Sequence, residues 1–248
     1  MRISRLTTII ILFCAASACC QAVNPYPQLE EKAHRFFTHS EWASAAAILD
    51  LMLEEKPDIP STYGMAIVSN AMRNDTTSQM RLMQGALDHH IPFDSIFSQV
   101  KQWSFHLGKS HLYESFLKET RNAYPWMRRT INGNLLKYYT FRRNGAEMVT
   151  YSLIMLEGAP DNLDFLHSLA SGYLLSGNES PGIDTYHRIL SAHPDDYEAI
   201  TALGNWYAQN GQPVKALEYL KRAYASRPTP YVGALIKQLS DMSRKAQL

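Results

Sequence analysis

Cysteine is scarce in this 248-residue chain, with only Cys14, Cys19 and Cys20, all close to the N-terminus. A body without cysteine has neither a disulfide nor a thiolate metal site. An excess of charge of one sign is missing too: 24 Lys and Arg stand against 23 Asp and Glu, a formal net charge of +1. With no basic stripe carrying interleaved aromatics, the composition excludes a nucleic-acid binder. Phosphate-cradling glycine loops, nucleophile elbows and helix-borne zinc-protease motifs are all lacking. Nine histidines are present. His89 and His90 are adjacent, and His34 with His39 and His106 with His111 stand five apart, so none makes an i, i+4 ligand pair with a supporting carboxylate. The expectation is no metal, no cofactor and no catalytic residue.

What the chain does have begins with a leader. Arg2 and Arg5 precede an apolar stretch from Leu6 to about Ala18 and then small residues, the layout of a secretory signal peptide over 1–22. It is too short to span a bilayer comfortably. Two processing routes fit it. Ala16, Ser17 and Ala18 before Cys19 resemble the lipobox of bacterial lipoproteins, without its usual leucine, which would make Cys19 or Cys20 a lipidation site. Ordinary cleavage after Ala18 or Ala22 would instead give a soluble exported protein. The expected location is therefore the periplasm or a membrane, the latter reached only through an N-terminal lipid anchor.

Prolines supply a ruler for the rest. Pro57, Pro92, Pro125, Pro160, Pro194 and Pro228 are separated by 35, 33, 35, 34 and 34 residues. Within the last interval, Leu203, Gly204, Tyr207, Gly211, Ala216, Leu220, Ala223 and Pro228 alternate small and large residues at offsets that suit two closely packed antiparallel helices. Gly211 is suited to end the first helix, Pro213 to begin the second, and Asp195 with Glu198 to form a capping box. This stretch resembles one complete tetratricopeptide (TPR) repeat, whose period is 34 residues. The resemblance extends over roughly 26–248: six repeats at about 26–57, 58–91, 92–125, 126–160, 161–194 and 195–228, closed by a capping helix over 229–248. It is sharpest in the last two repeats. In the third and fourth, spacing alone carries it, and the turn at Asn144 and Gly145 suggests a short second helix in the fourth. Capping-box spacing places a helix start at Thr76 with Gln79, and Ser180 with Pro181 suits another.

The resemblance implies an all-α helical-hairpin solenoid, a right-handed superhelix whose first helices line a concave groove. By register the groove candidates are His34, Phe37, Gln102, Phe105, Lys137, Phe141, His167, Ser171, Asn205 and Gln209. This mixture of polar and aromatic residues suits an extended peptide or a partner's helix. The TPR subclass that clamps a C-terminal carboxylate needs basic and asparagine residues on successive first helices; here only Lys137 and Asn205 are comparable, two repeats apart, so no such clamp is expected. Tyr139, Tyr173, Tyr207, Met80 and Met83 fall at packing offsets. The implied function is a non-catalytic scaffold that binds a protein or peptide in a bacterial cell-envelope assembly. Two other roles remain open: a carbohydrate-binding or regulatory subunit of a glycan-processing complex, with Phe37, Phe105 and Phe141 as stacking platforms, and a structural homo-oligomer.

If the leader is a lipoprotein signal, radiolabelled palmitate enters the wild-type protein and is lost when Cys19 and Cys20 are both replaced by serine. Unchanged incorporation in the double variant refutes lipidation.

Overall fold

The computed structural model describes residues 26–245. The leader, with the lipidation candidates Cys19 and Cys20, lies outside the described residues. The described chain is helical, with no strand among the described residues, and it divides into two compact units that meet between Ala123 and Tyr124.

The first unit contains α1 (Tyr26–Thr38), α2 (Trp42–Glu55), α3 (Pro60–Ala71), α4 (Thr76–Asp88), α5 (Phe93–His106) and α6 (His111–Ala123). In the second, a 3-10 turn (Pro125–Met127) leads into α7 (Arg128–Arg142), α8 (Gly145–Glu157), α9 (Leu163–Leu175), α10 (Glu179–Ala192), α11 (Tyr197–Gln209), α12 (Pro213–Ser226) and α13 (Pro230–Lys245). The six ruler prolines follow the ends of α2, α4, α6, α8, α10 and α12. In each proline interval a first helix is followed by a second, and the two pack together.

Every hairpin turn uses the same backbone device. Ser40, Asn74, Gly108, Arg143, Gly177 and Gly211 all have positive φ, between 52° and 78°. The residue after each donates its N–H to a carbonyl five residues back: Glu41 to Phe36, Asp75 to Asn70, Lys109 to Ser104, Asn144 to Tyr139, Asn178 to Tyr173 and Gln212 to Tyr207, all at 2.9–3.0 Å. This is the Schellman closure, which satisfies a carbonyl that a helix end leaves without a partner. Three of the six positions are not glycine, so the sequence marks only half of the turns by residue type.

Local starts differ from the sequence expectation in small, explicable ways. The caps are Asp75, Asn144, Asn162 and Asp196, whose side chains accept from the N–H of Ser78, Glu147, Phe165 and Ala199. Thus α4 and α11 are capped one residue from the Thr76 and Asp195 expected. Helix α10 begins at Glu179 rather than around Ser180 and Pro181. Helix α8 is a full 13 residues, not short. The left-handed turn before it falls on Arg143, which leaves Asn144 free to cap and Gly145 inside the helix.

Gly145 serves packing instead. A Cβ there would come within 2.7 Å of the Gly172 carbonyl oxygen on α9, and one on Gly172 would sit 2.9 Å from the Cβ of Met148. Backbones of α8 and α9 therefore cross almost in contact. In the first unit, Gly64 of α3 plays the same part against Gln99 of α5. Gly204 accommodates Leu220, whose Cγ would lie 2.9 Å from an added Cβ.

Helix α3 contains no charged residue, and everything from Thr62 to Asn70 is buried. It packs on α2, α4, α5 and α6, which leaves it no wet face. Its polar side chains are satisfied locally: Ser69 Oγ donates to the Met65 carbonyl and Asn70 Nδ2 to that of Ala66. In the second unit a core runs from Leu156 through Leu166, Leu169, Ile189, Leu203 and Leu220 to Val232 and Leu239, so α13 covers the apolar face of the last hairpin. Successive hairpins there are also pinned by one hydrogen bond repeated a period later, Arg188 Nη2 to the Pro160 carbonyl (3.0 Å) and Arg222 Nη2 to that of Pro194 (2.8 Å).

Replacing Gly172 by leucine should lower the unfolding free energy by about 1–3 kcal/mol or more, because the Met148 Cβ and the backbone at Gly145 and Val149, none of them the end of a mobile side chain, block the new group. Arg143→Gly should raise it by about 1 kcal/mol by removing left-handed strain, and Gly211→Ala should lower it by about the same amount. Urea denaturation of the three variants checks this. Equal midpoints for all three would contradict the turn assignment.

Candidate functional site

Taking the left-handed turn residue as origin, His34, Gln102, Lys137, Ser171 and Asn205 each stand six residues before it, on their respective first helices. Phe37 and Phe105 stand three before it, and Phe141 and Gln209 two before it. These are neighbouring positions on one helix face. In the second hairpin the six-before position is Val68, which is buried, so α3 contributes nothing there.

In the first unit that face is largely filled. Trp103 of α5 reaches α1, its ring 5.2 Å from that of Phe37 and 5.8 Å from that of His34. Trp42 closes on Phe37 from the other side at 5.3 Å. Phe37 is accordingly only 2% exposed and belongs to the core, which corrects its place among the groove candidates and as a stacking platform. The space left between α1, α2, α3 and α5 is about 40 Å³, about what a single water occupies. Gln102 and His34 are exposed, while Phe105 is half-buried under Lys101, whose Nζ lies 5.8 Å from the ring centre.

In the second unit Thr140, Leu174 and Ala208 stand at the position that Phe37 and Phe105 occupy in the first, and hollows remain. One, of about 260 Å³, is bounded by Thr140 of α7, Met148 of α8, Asp164, His167, Ser168 and Ser171 of α9, and Glu198 of α11. Another, of about 290 Å³, lies between α9, α10 and α11 and takes in Asn205 and Gln209. There Trp206 Nε1 donates to Glu179 (3.2 Å), and the Tyr231 hydroxyl of α13 donates to Asn205 Oδ1 (3.2 Å). Lys137 and Gln209 are exposed, and Phe141 is strongly so. The first helices thus bring Ser171 and His167 into one hollow and Asn205 and Gln209 into the other.

His167 is the most constrained of these residues. It is 9% exposed, and its Nε2 lies 3.2 Å from Asp196 Oδ2, while Asp196 Oδ1 caps α11 by accepting from Ala199 N–H (2.8 Å). A carboxylate only accepts, so Nε2 carries the proton and, in the neutral ring, Nδ1 is left with a lone pair. Nδ1 has no hydrogen-bond partner; Glu198 Oε1 is 3.7 Å away, beyond hydrogen-bond reach. Behind the imidazole stands Tyr186, ring centres 6.1 Å apart. Burial first, and then the Glu198 and Asp196 carboxylates, push the Tyr186 phenol up to about 12, so it stays protonated at neutral pH. The sequence offered His167 as a groove candidate, but Asp164, Ser168, Asp196 and Glu198 were not foreseen. Their signal would have been a carboxylate at the start of the next first helix, 29 residues beyond a buried histidine.

Among the described residues no group of three or more histidines, cysteines and carboxylates is arranged to hold a metal ion, and no helix is long and apolar enough to cross a membrane.

No protein-family model matches the chain, and no curated protein does. Among solved structures it is similar to a tetratricopeptide repeat protein from Parabacteroides merdae, with a TM-score of 0.50 and 15% identity over 90% of this chain and 88% of that one. The TPR domain of P58(IPK) gives a TM-score of 0.44 and 10% identity over 90% of this chain and 67% of that one. Pseudomonas aeruginosa pilF gives 0.45 and 11% over 88% of this chain and 97% of that one.

Removing the Asp196 side chain should cost more than removing an ordinary cap. Asp196→Ala loses the cap, worth about 1 kcal/mol, and also strands a buried imidazole, for about 1–3 kcal/mol more. Asn162→Ala, which loses a cap alone, should show only the first loss in urea titrations. Equal losses would mean that the bond to His167 contributes nothing.

Proposed function

We propose that this chain, which has the all-α fold of tetratricopeptide-repeat proteins, is a non-catalytic scaffold that binds a protein or peptide along the first helices of its second unit. One observation carries this reading: Lys137, Ser171 and Asn205 recur at the same position on α7, α9 and α11, wholly or partly exposed, and two of them border the hollows of this face. A preformed helical surface binds without the ordering cost that a flexible binder incurs. Hollows of 260–290 Å³ on this face are each of a size to take a side chain of an extended ligand.

The setting we propose is a bacterial cell envelope, after export directed by residues 1–22. A lipid on Cys19 or Cys20 would hold the binding surface close to a membrane, and the soluble periplasmic form would lack that tether. Support for export comes from the charge and apolar layout of the leader. The carbohydrate reading loses ground, because burial of Phe37 removes one of its three platforms.

The test is affinity capture from detergent-solubilised envelopes with the wild-type protein and with a Lys137→Ala, Ser171→Arg, Asn205→Arg variant whose thermal melt matches the parent. The scaffold reading expects at least one captured protein to be lost with the variant. An identical captured set would refute binding through this face.

A further inference from the structure

We propose that the hollow around His167 is a subsite for a basic side chain, lysine or arginine, of the bound peptide. The inference rests on reading the first-helix face as a peptide-binding surface, and it specifies what one part of that surface selects.

Asp164 and Glu198 line the hollow as carboxylates, which accept and never donate. Asp164 and Glu198 are both exposed, and the one other ionisable residue bounding the hollow is His167. His167 is fixed through Nε2 by Asp196, so in the neutral form of the ring Nδ1, buried and without a hydrogen-bond partner, carries a lone pair 3.7 Å from Glu198 Oε1 at the edge of the same space. An acceptor removed from water and left unmatched costs free energy, so a donor close by is favoured over a further acceptor. Thr140 already spends its hydroxyl proton on the Leu136 carbonyl (2.9 Å), leaving only lone pairs to offer. Ser168 and Ser171 adapt either way.

Every fixed group of the hollow therefore asks for a donor, and two of them ask for positive charge. An ammonium presents three donors and a guanidinium five, and neither has an acceptor. Anionic and purely accepting ligands would face two carboxylates and a lone pair. The apolar residue bounding the hollow is Met148, itself 1% exposed, whose thioether edge suits the methylene stem of lysine or arginine. About 260 Å³ accommodates one such side chain and falls below the usual range of drug-sized ligand pockets. The site is thus the electrostatic opposite of a carboxylate clamp.

The probes are Nα-acetyl-arginine amide and Nα-acetyl-lysine amide, with Nα-acetyl-norleucine amide, Nα-acetyl-glutamate amide and glycinamide as counter-probes. Each is titrated into the 15N-labelled protein and followed by amide chemical shifts. The two basic amides should perturb Asp164, His167, Ser168, Ser171 and Glu198, and the Asp164→Asn, Glu198→Gln double variant should bind them at least about ten-fold more weakly. Both replaced side chains are exposed, and an unchanged melting curve shows that the variant is folded. His167→Gln, a second variant, should weaken binding without changing the preference for basic over norleucine probe.

Four results would overturn the subsite: norleucine or glutamate amide binding as well as the basic amides, glycinamide binding better than either, shifts confined to other residues, or equal affinity in the double variant. Failure here is separable from failure of the scaffold reading. Capture of a partner that survives the Asp164, Glu198 variant but not the Lys137, Ser171, Asn205 variant overturns the subsite alone. Localised binding of the basic amides supports the subsite even when envelope capture recovers nothing.

Discussion

One backbone conformation governs the rest of the structure: the single left-handed residue between the two helices of each hairpin. A first helix leaves its last carbonyls without partners, and the chain must reverse within a few residues. A positive φ meets both demands, because it turns the next N–H back onto the carbonyl five residues earlier. The six such residues are spaced 34, 34, 35, 34 and 34 apart. That regularity gives each first helix the same phase relative to its partner. It is also why Lys137, Ser171 and Asn205 fall on corresponding positions although the residues around them differ.

Much of this was legible, and the gaps have physical reasons. Prolines after the second helices and the small residues of the last two hairpins gave the period, since proline cannot continue a helix and only small residues allow backbones to meet. The turns were harder to read. Glycine marks Gly108, Gly177 and Gly211, whereas Ser40, Asn74 and Arg143 adopt the same φ at a cost that tertiary packing offsets. Gly145 misled for the converse reason: a glycine beside a turn looked like the turn, while its actual use is contact with Gly172. Caps slipped by one residue where two competent side chains adjoin, as in Asp195 and Asp196 or Asp75 and Thr76, because residue type alone does not separate them.

The candidate site was less legible than the fold, because what decides exposure on the first-helix face comes from distant residues. Phe37 has the spacing of an exposed ring, and Trp103, 66 residues later, buries it. His167 has the spacing of a groove residue, and Asp196, 29 residues later, turns it into an anchored acceptor. Periodicity reports a residue's angle around its own helix and is silent on the size of what sits across from it.

That size decides what each unit's first-helix face can do. Between α1 and α5 a tryptophan, a phenylalanine and a histidine fill the space, and favourable aromatic contacts leave little to offer a ligand. Around the hollow of the second unit α7 and α9 carry Thr140, Ser168 and Ser171, which are small, and the gap stays open. An open polar gap would be costly if its buried groups were orphaned, so the contribution of Asp196 is central. By capping α11 with one oxygen and holding His167 with the other, it ties a helix start in one hairpin to the imidazole of the hairpin before it. The same bond commits Nε2 and, in the neutral ring, makes Nδ1 the acceptor, so a contact that stabilises the fold also bears on the polarity of the hollow.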